Sequence, residues 1–314
     1  MASAFVTGGA GFIASHLIDL LLEKGYSVTA ADVIDWKNAV NLRHIDDDRF
    51  SYLSMDVSDR DALTEATKGA DIIFHMASNS DIRSGCDEPS LDIRDTLQTT
   101  VSVLEAMRAN RIKRMFFPSS STVYGDKGRK LTEDTGDLSP LSYYGACKLA
   151  SESLISAYSF QNELDALIFR FPNVVGPRMT HGVIYDFIRK LKKDPGKLEI
   201  LGDGNQRKQY VYVKDLVKGI VDFSENIEKG VSVYNISTDS FATVKEIADM
   251  VCERIKVDPE YVFTGGACGW KGDVPTFEYD ISKAKAAGWK YQYDSIEAIR
   301  KALEGTDLDS IPPM

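Results

Sequence analysis

Short apolar runs alternate with longer stretches in which apolar residues recur every three to four positions, and this rhythm holds to about residue 170. The short runs predict strands at Ala4–Val6, Ser27–Ala31, Phe50–Leu53, Ile72–His75, Met115–Phe117 and Ala166–Phe169. The longer ones predict helices at Phe12–Glu23, Arg60–Lys68, Leu91–Ala109 and Tyr143–Gln161. Strands and helices alternating at this spacing form βαβ units, so the expected class is α/β, a doubly wound parallel sheet covered on both faces. After residue 171 the rhythm changes. Pro172, Gly176 and Pro177 mark a loop, Val183–Lys193 has helical periodicity, and Asp194-Pro195-Gly196 and Gly202-Asp203-Gly204-Asn205 carry turn chemistry. A strand at Tyr210–Val213, helices at Val244–Arg254 and Ser295–Leu303 and a loose tail, Asp307–Met314, complete the chain. The expected organisation is a first domain over 1–170 and a smaller α/β domain over 171–314, with a segment near 208–236 returning to the first.

Composition narrows the partners. With 43% apolar and 27% charged residues, the chain has the make-up of a globular protein with material for a real core. Its 37 basic and 47 acidic residues leave a net charge of −10, which argues against nucleic acid as a partner. Cys86, Cys147, Cys252 and Cys268 are scattered, as are His16, His44, His75 and His181. That pattern suits free thiols in a reducing compartment and offers no metal site. With no targeting segment and no apolar run of about 18 residues, the sequence reads as cytoplasmic and without membrane attachment.

The first turn carries chemistry. Thr7-Gly8-Gly9-Ala10-Gly11-Phe12-Ile13-Ala14 joins the first strand to the first helix and satisfies G-x-G-x-x-A at Gly9, Gly11 and Ala14. Glycines there allow a tight turn and let the backbone approach a pyrophosphate at the helix N-terminus, as in the Rossmann dinucleotide fold. Asp32 ends the second strand, where a carboxylate accepts from ribose hydroxyls and repels a 2′-phosphate. The cofactor expected is therefore NAD, with Asp56 and Val57 beyond the third strand as adenine contacts. No G-K-[ST] follows the glycines, which excludes a nucleoside triphosphatase.

A second constellation lies further on. Tyr144 and Lys148 are four apart at the start of a helical segment, so phenol and ammonium share one face. A neighbouring cation favours phenolate over phenol and brings tyrosine towards the range of a general base. Pro118-Ser119-Ser120-Ser121-Thr122-Val123-Tyr124-Gly125 follows the fifth strand at the carboxyl edge, where doubly wound sheets bind ligands.

With TGGAGFIASHL, HMAS at 75–78, SSSTVYG, YGACK, NVVGPR at 173–178 and WKGDVP at 270–275, the chain resembles the extended short-chain dehydrogenase/reductase family, in its nucleotide-sugar epimerase/dehydratase branch. The resemblance implies that Tyr144 is the acid/base, that Lys148 lowers its pKa and binds the nicotinamide ribose, and that Ser120 holds the reacting hydroxyl, with Thr122 beside it. It implies NAD contacts from Gly8, Gly11, Phe12, Ile13, Asp32, Asp56, Val57, Ala77, Tyr144, Lys148 and Phe171. It implies substrate contacts from Asn173, from Arg207 or Lys208 on the diphosphate, and from Asp273 in the WKGDVP run. A family asparagine is replaced by Thr96. The resemblance also implies a homodimer packed through the helices near 91–109 and 143–161.

Within that branch, dehydratases carry an Asp-Glu pair, and decarboxylases a Glu, just after the catalytic hydroxyl. Here those positions are Ser121 and Thr122, which do not titrate near neutrality. The activity implied is inversion of C4 of a UDP-hexose (UDP-galactose/UDP-glucose) through a 4-keto sugar, with hydride returned from bound NADH. UDP-glucuronate and UDP-N-acetylhexosamine stay open as substrates, though Gly176-Pro177-Arg178-Met179-Thr180 lacks the second Arg of several uronate enzymes. A non-catalytic NAD sensor is the reading from another class; the intact tyrosine, lysine and glycine loop weigh against it.

Overall fold

The computed structural model describes residues 2–266, Gly269, Val274 and 276–314, apart from the side chain of Arg83. In chain order β1 (Ser3–Thr7), α1 (Phe12–Glu23), β2 (Ser27–Asp32), β3 (Phe50–Ser54), α2 (Arg60–Ala66) and β4 (Ile72–His75) come first. The chain then coils through α3 (Ile82–Asp87), α4 (Pro89–Asp92), a π-helical stretch at Ile93–Gln98, and α5 (Thr99–Asn110). Next come β5 (Arg114–Ser120), β6 (Lys130–Leu131), α6 (Tyr143–Asn162), β7 (Asp165–Phe171), β8 (Asn173–Val175), α7 (Val183–Lys193) and β9 (Lys197–Ile200). The remainder comprises β10 (Arg207–Lys208), β11 (Tyr210–Tyr212), α8 (Val213–Ser224), β12 (Val231–Asn235), β13 (Ala242–Thr243) and α9 (Val244–Ile255). β14 (Glu260–Phe263), β15 (Glu278–Tyr279), α10 (Ser282–Ala286) and α11 (Ser295–Gly305) end the chain. Two compact units result: Met1–Gly125 with Asp137–Phe171 and Val217–Tyr234, and Asp126–Gly136 with Pro172–Leu216 and Asn235–Met314.

The first unit is built on a seven-stranded sheet in the order β12-β7-β5-β4-β1-β2-β3. Every pairing from β3 across to β7 is parallel, as the strand–helix alternation predicts. β4 is buried from Ile72 to His75, and apolar up to its last residue, as expected of a central strand covered on both faces. α1 turns Leu17, Ile18, Leu21 and Leu22 inwards, each contributing about 1.5–3 kcal/mol by leaving water. One side of the core joins Phe5, Ile73, Met115, Phe117 and Ile168 of the strands to Val103, Leu104 and Met107 of α5 and Ile155 of α6. A polar thread crosses it: Thr7 Oγ1 lies 2.8 Å from His75 Nδ1, His75 Nε2 3.1 Å from Thr100 Oγ1, and Ser151 Oγ donates to Thr100 Oγ1 at 3.1 Å. The sheet order reverses between β1 and β4, which puts the glycine turn at the switch point.

The second unit pairs short strands: β8 with β11, β9 with β14 and β6 with β15 in parallel, and β10 with β13 antiparallel. α9 and α11 each begin with a capping box, Thr243 with Glu246 and Asp294 with Glu297. Three expectations change. Asn173–Val175, read as loop because of Pro172 and Gly176, is a strand, since β11 supplies its hydrogen bonds. The helix expected over Leu91–Ala109 is interrupted by the π-helical stretch. The tail is tied down: Ile311 is buried, and Lys192 donates its ammonium to the carbonyl of Ile311 at 2.7 Å.

Candidate active site

The turn after β1 has the shape a dinucleotide requires. Gly8 adopts φ 64°, and a Cβ there would sit 2.7 Å from the amide nitrogen of Ala77, so only glycine allows the approach of β1 and β4. Gly11 caps α1 without a side-chain hydrogen bond, and no acid stands in the first turn. The first amides of α1 are thus left for an anion. Asp32 ends β2 with Oδ2 accepting from the Ala10 amide at 3.0 Å and Oδ1 from the Ile34 amide at 3.1 Å. Burial raises its carboxyl, and these amides work against that rise. Phe12 and Ile13 lie half-buried at the start of α1, and Ala77 donates its amide to Thr7 Oγ1 at 3.1 Å. Asp56 is exposed and accepts from the Ser58 amide at 2.8 Å, while Val57 joins the core. These residues fit NAD: a backbone cradle for pyrophosphate, an acid ending β2 on the same sheet edge, and, among the described residues, no cation paired with that acid.

α6 begins where Ser142 accepts from the Gly145 amide at 3.1 Å. A Cβ on Gly145 would lie 2.7 Å from the carbonyl oxygen of Thr122, so this glycine lets the first turn of α6 close on the turn after β5. That approach brings Tyr144 to Ser120, and the tyrosine hydroxyl is hydrogen-bonded to Ser78 and Ser120. Ser120 Oγ accepts from the Thr122 amide at 3.2 Å and from Thr122 Oγ1 at 3.0 Å. Its own proton is therefore available to Tyr144, a bond that favours phenolate. Lys148 is 2% exposed; its ammonium donates to the Pro118 carbonyl at 2.8 Å and lies 4.7 Å from the Phe117 ring centre and 5.6 Å from that of Tyr144.

Burial dominates the electrostatics. It pushes the Tyr144 phenol up to about 12 and the Lys148 ammonium down to about 7. His75, enclosed and beside Lys148, is held down to about 3 and stays neutral, a structural residue. Asp92, fully buried, accepts from Asn79 Nδ2 at 2.9 Å, and burial raises its carboxyl. Cys147 is buried and its thiol raised by desolvation, so it is no nucleophile. Among the described residues no group of three or more His, Cys, Asp or Glu is placed to hold a metal, and no helix is long and apolar enough to cross a membrane.

Phe171 ends β7, half-buried. In the second unit Asn173 opens β8 exposed, and Arg207 and Lys208 form β10, where successive side chains point to opposite faces. The Arg207 guanidinium stacks 3.8 Å over the Phe241 ring. Asp273 and Lys271 lie outside the described residues. Ser78 and Asp92 were missed by sequence reasoning. Ser78 had a signal, its place in the HMAS run beside Ala77; Asp92 had none, being one acid among several on a helix.

Residues 4–237 match the family described as the NAD dependent epimerase/dehydratase family. The UDP-glucose 4-epimerase of Mycolicibacterium smegmatis is 29% identical over 308 residues, spanning 95% of this chain and 96% of that protein. A crystal structure of UDP-galactose 4-epimerase superposes with a TM-score of 0.85 at 34% identity, covering 96% of this chain and 98% of the other. The UDP-glucuronic acid 4-epimerase of Bacillus cereus, solved with UDP-glucuronic acid and NAD, superposes with a TM-score of 0.87 at 26% identity, covering 96% and 98%.

Proposed function

The chain belongs to the NAD dependent epimerase/dehydratase family, and from that membership we propose that it inverts C4 of a UDP-hexose, interconverting UDP-galactose and UDP-glucose. The observation that carries the reading is the Tyr144 hydroxyl bonded to Ser78 and Ser120, with Lys148 buried behind it and no carboxylate at 121 or 122. NAD, when bound, supplies the acceptor and donor of hydride and, while oxidised, a positive charge. Ser120, polarised by Thr122, aligns the C4 hydroxyl. Tyr144 takes the proton of that hydroxyl and later returns it. Lys148 offsets the phenolate charge. Asn173 and either Arg207 or Lys208 hold the diphosphate, with Asp273 as a further substrate contact. Adenosine and pyrophosphate of NAD fall to Gly8, Gly11, Phe12, Ile13, Asp32, Asp56, Val57 and Ala77, and its nicotinamide side to Phe171, Tyr144 and Lys148.

UDP-glucuronate is the second reading, supported by the likeness to the Bacillus cereus enzyme. The protein is further proposed to act in the cytoplasm as a homodimer through α5 and α6; Phe160 of α6, 86% exposed, is an apolar contact such a surface would use. The test is the absorbance of protein purified without added cofactor. UDP-galactose should reduce the retained NAD in part and yield UDP-glucose on chromatography, and Tyr144→Phe should abolish both. A protein that converts sugar only with stoichiometric NAD is an ordinary dehydrogenase instead.

A further inference from the structure

α6 presents Tyr144, Lys148 and Glu152 at four-residue intervals, on one face. The proposed reaction uses the first two and leaves Glu152 unexplained. Its carboxylate is gripped from two strands. Arg170 of β7 donates Nε to Oε1 at 3.0 Å and Nη2 to Oε2 at 2.6 Å, and Ser119, adjoining Ser120 on β5, donates its hydroxyl to Oε1. Arg170 also donates Nη1 to the Tyr124 hydroxyl at 3.0 Å, just beyond the Ser120–Thr122 turn. The side chains of the pair are only 6% and 7% exposed. A buried ion pair of this kind seldom stabilises a fold better than apolar residues of equal volume, so stability alone does not account for it.

Lys148 supplies the reason. Its ammonium is buried against Phe117 and the Pro118 carbonyl, and among the described residues no carboxylate lies within ion-pair distance of it. The charged and titratable groups around it are Tyr144, Cys147 and Glu152 on α6, His75 ending β4, Asp92 ending α4, and Arg170 on β7 with Tyr124 beyond it. His75 is neutral. Of the two carboxylates whose charge favours the ammonium, Glu152 acts more strongly than Asp92, and it is the one fixed in an ion pair.

We propose that Glu152 and Arg170 are positioning residues: Glu152 is the counter-charge that keeps Lys148 an ammonium beneath Tyr144, and Arg170 with Ser119 locks that counter-charge to the strand end carrying Ser120. The proposal rests on the reading of Tyr144 as the acid/base. One network thereby sets both the charge behind the phenol and the place of the hydroxyl in front of it.

The test is an ultraviolet phenolate titration of the NAD-loaded protein, taken as the difference between parent and Tyr144→Phe so that Tyr144 alone is read. Each substitution at 152 is compared in the same way with its own Tyr144→Phe double variant. With Glu152→Gln the lysine loses its stronger counter-charge and gives up its proton more readily, so the Tyr144 midpoint should rise by about one unit, a tenfold loss of acidity. The acid limb of the kcat–pH profile should move by the same amount. Glu152→Asp keeps the charge on a shorter arm; it should titrate like the parent while kcat falls through looser placement of Ser120. A parent-like midpoint in Glu152→Gln, or a shift in Glu152→Asp as large as in Glu152→Gln, overturns the proposal. If Glu152→Gln does not fold, Glu152→Asp decides through both readouts: a parent-like midpoint with a lowered kcat supports the proposal, and a full-unit shift or an unchanged kcat overturns it. The titration needs no sugar, so its failure is distinguishable from failure to convert any nucleotide sugar.

Discussion

Tyr144 and Lys148 are both displaced by burial, in opposite directions: the phenol towards about 12, the ammonium towards about 7. Burial alone makes a poor general base, and the bonds from Ser120 and Ser78 are the local groups that oppose it. Tyr144→Phe removes the proposed proton carrier while keeping the ring, so kcat should fall by about 10²–10⁴-fold with nucleotide-sugar affinity nearly unchanged; steady-state kinetics and calorimetry check the two halves. His75 gives a pH prediction. Its native pKa, about 3, lies below the unfolded value near 6.5, so the unfolded chain binds more protons as pH falls through that window and stability is lost. The loss should reach on the order of 2 kcal/mol by about pH 5. Denaturant unfolding should show this slope in the parent and a flatter one in His75→Gln; equal slopes would contradict it. The Tyr–Lys spacing and the glycine turn were legible because they are local in sequence. Ser78 and Asp92 were not: Ser78 follows β4 and Asp92 ends α4, which packs against α6, so both reach Tyr144 only in the folded chain.

At the scale of elements, two glycines set the distances. Gly8→Ala meets both a left-handed backbone angle and the Ala77 amide, so NAD retained through purification should drop at least tenfold, read from absorbance after gel filtration. Gly145→Ala pushes α6 away from the Thr122 carbonyl and should lower kcat by about tenfold or more; NAD should be lost less than in Gly8→Ala, because the turn proposed to hold the pyrophosphate is untouched. Strand and helix positions in the first unit followed from the alternation of short apolar runs with helical periodicity, most plainly at β4, where Ile72, Ile73 and Phe74 are all buried. The π-helical stretch and β8 did not: the first depends on packing, and the second on a partner strand about 37 residues away along the chain.

For the whole molecule, the seven-stranded sheet and the glycine turn at its reversal carry the residues proposed to hold NAD, and the second unit carries those proposed to hold the diphosphate. Its C-terminal segment belongs to the fold. Deleting residues 307–314 would expose the contacts of Ile311 and free Lys192, at a cost of about 2–3 kcal/mol, visible as a lower unfolding midpoint. The tail read as loose because it is a chain terminus; what anchors it is one buried isoleucine and backbone carbonyls that receive Lys192. The central claim is the proposed inversion at C4 by transient oxidation, with the same hydrogen returned to the sugar. It is tested most directly by incubating the protein with UDP-galactose in heavy water, without added NAD, and following the C4 position by proton NMR. The account predicts UDP-glucose that keeps its original hydrogen at C4. Deuterium at C4, or no conversion at all, would contradict it.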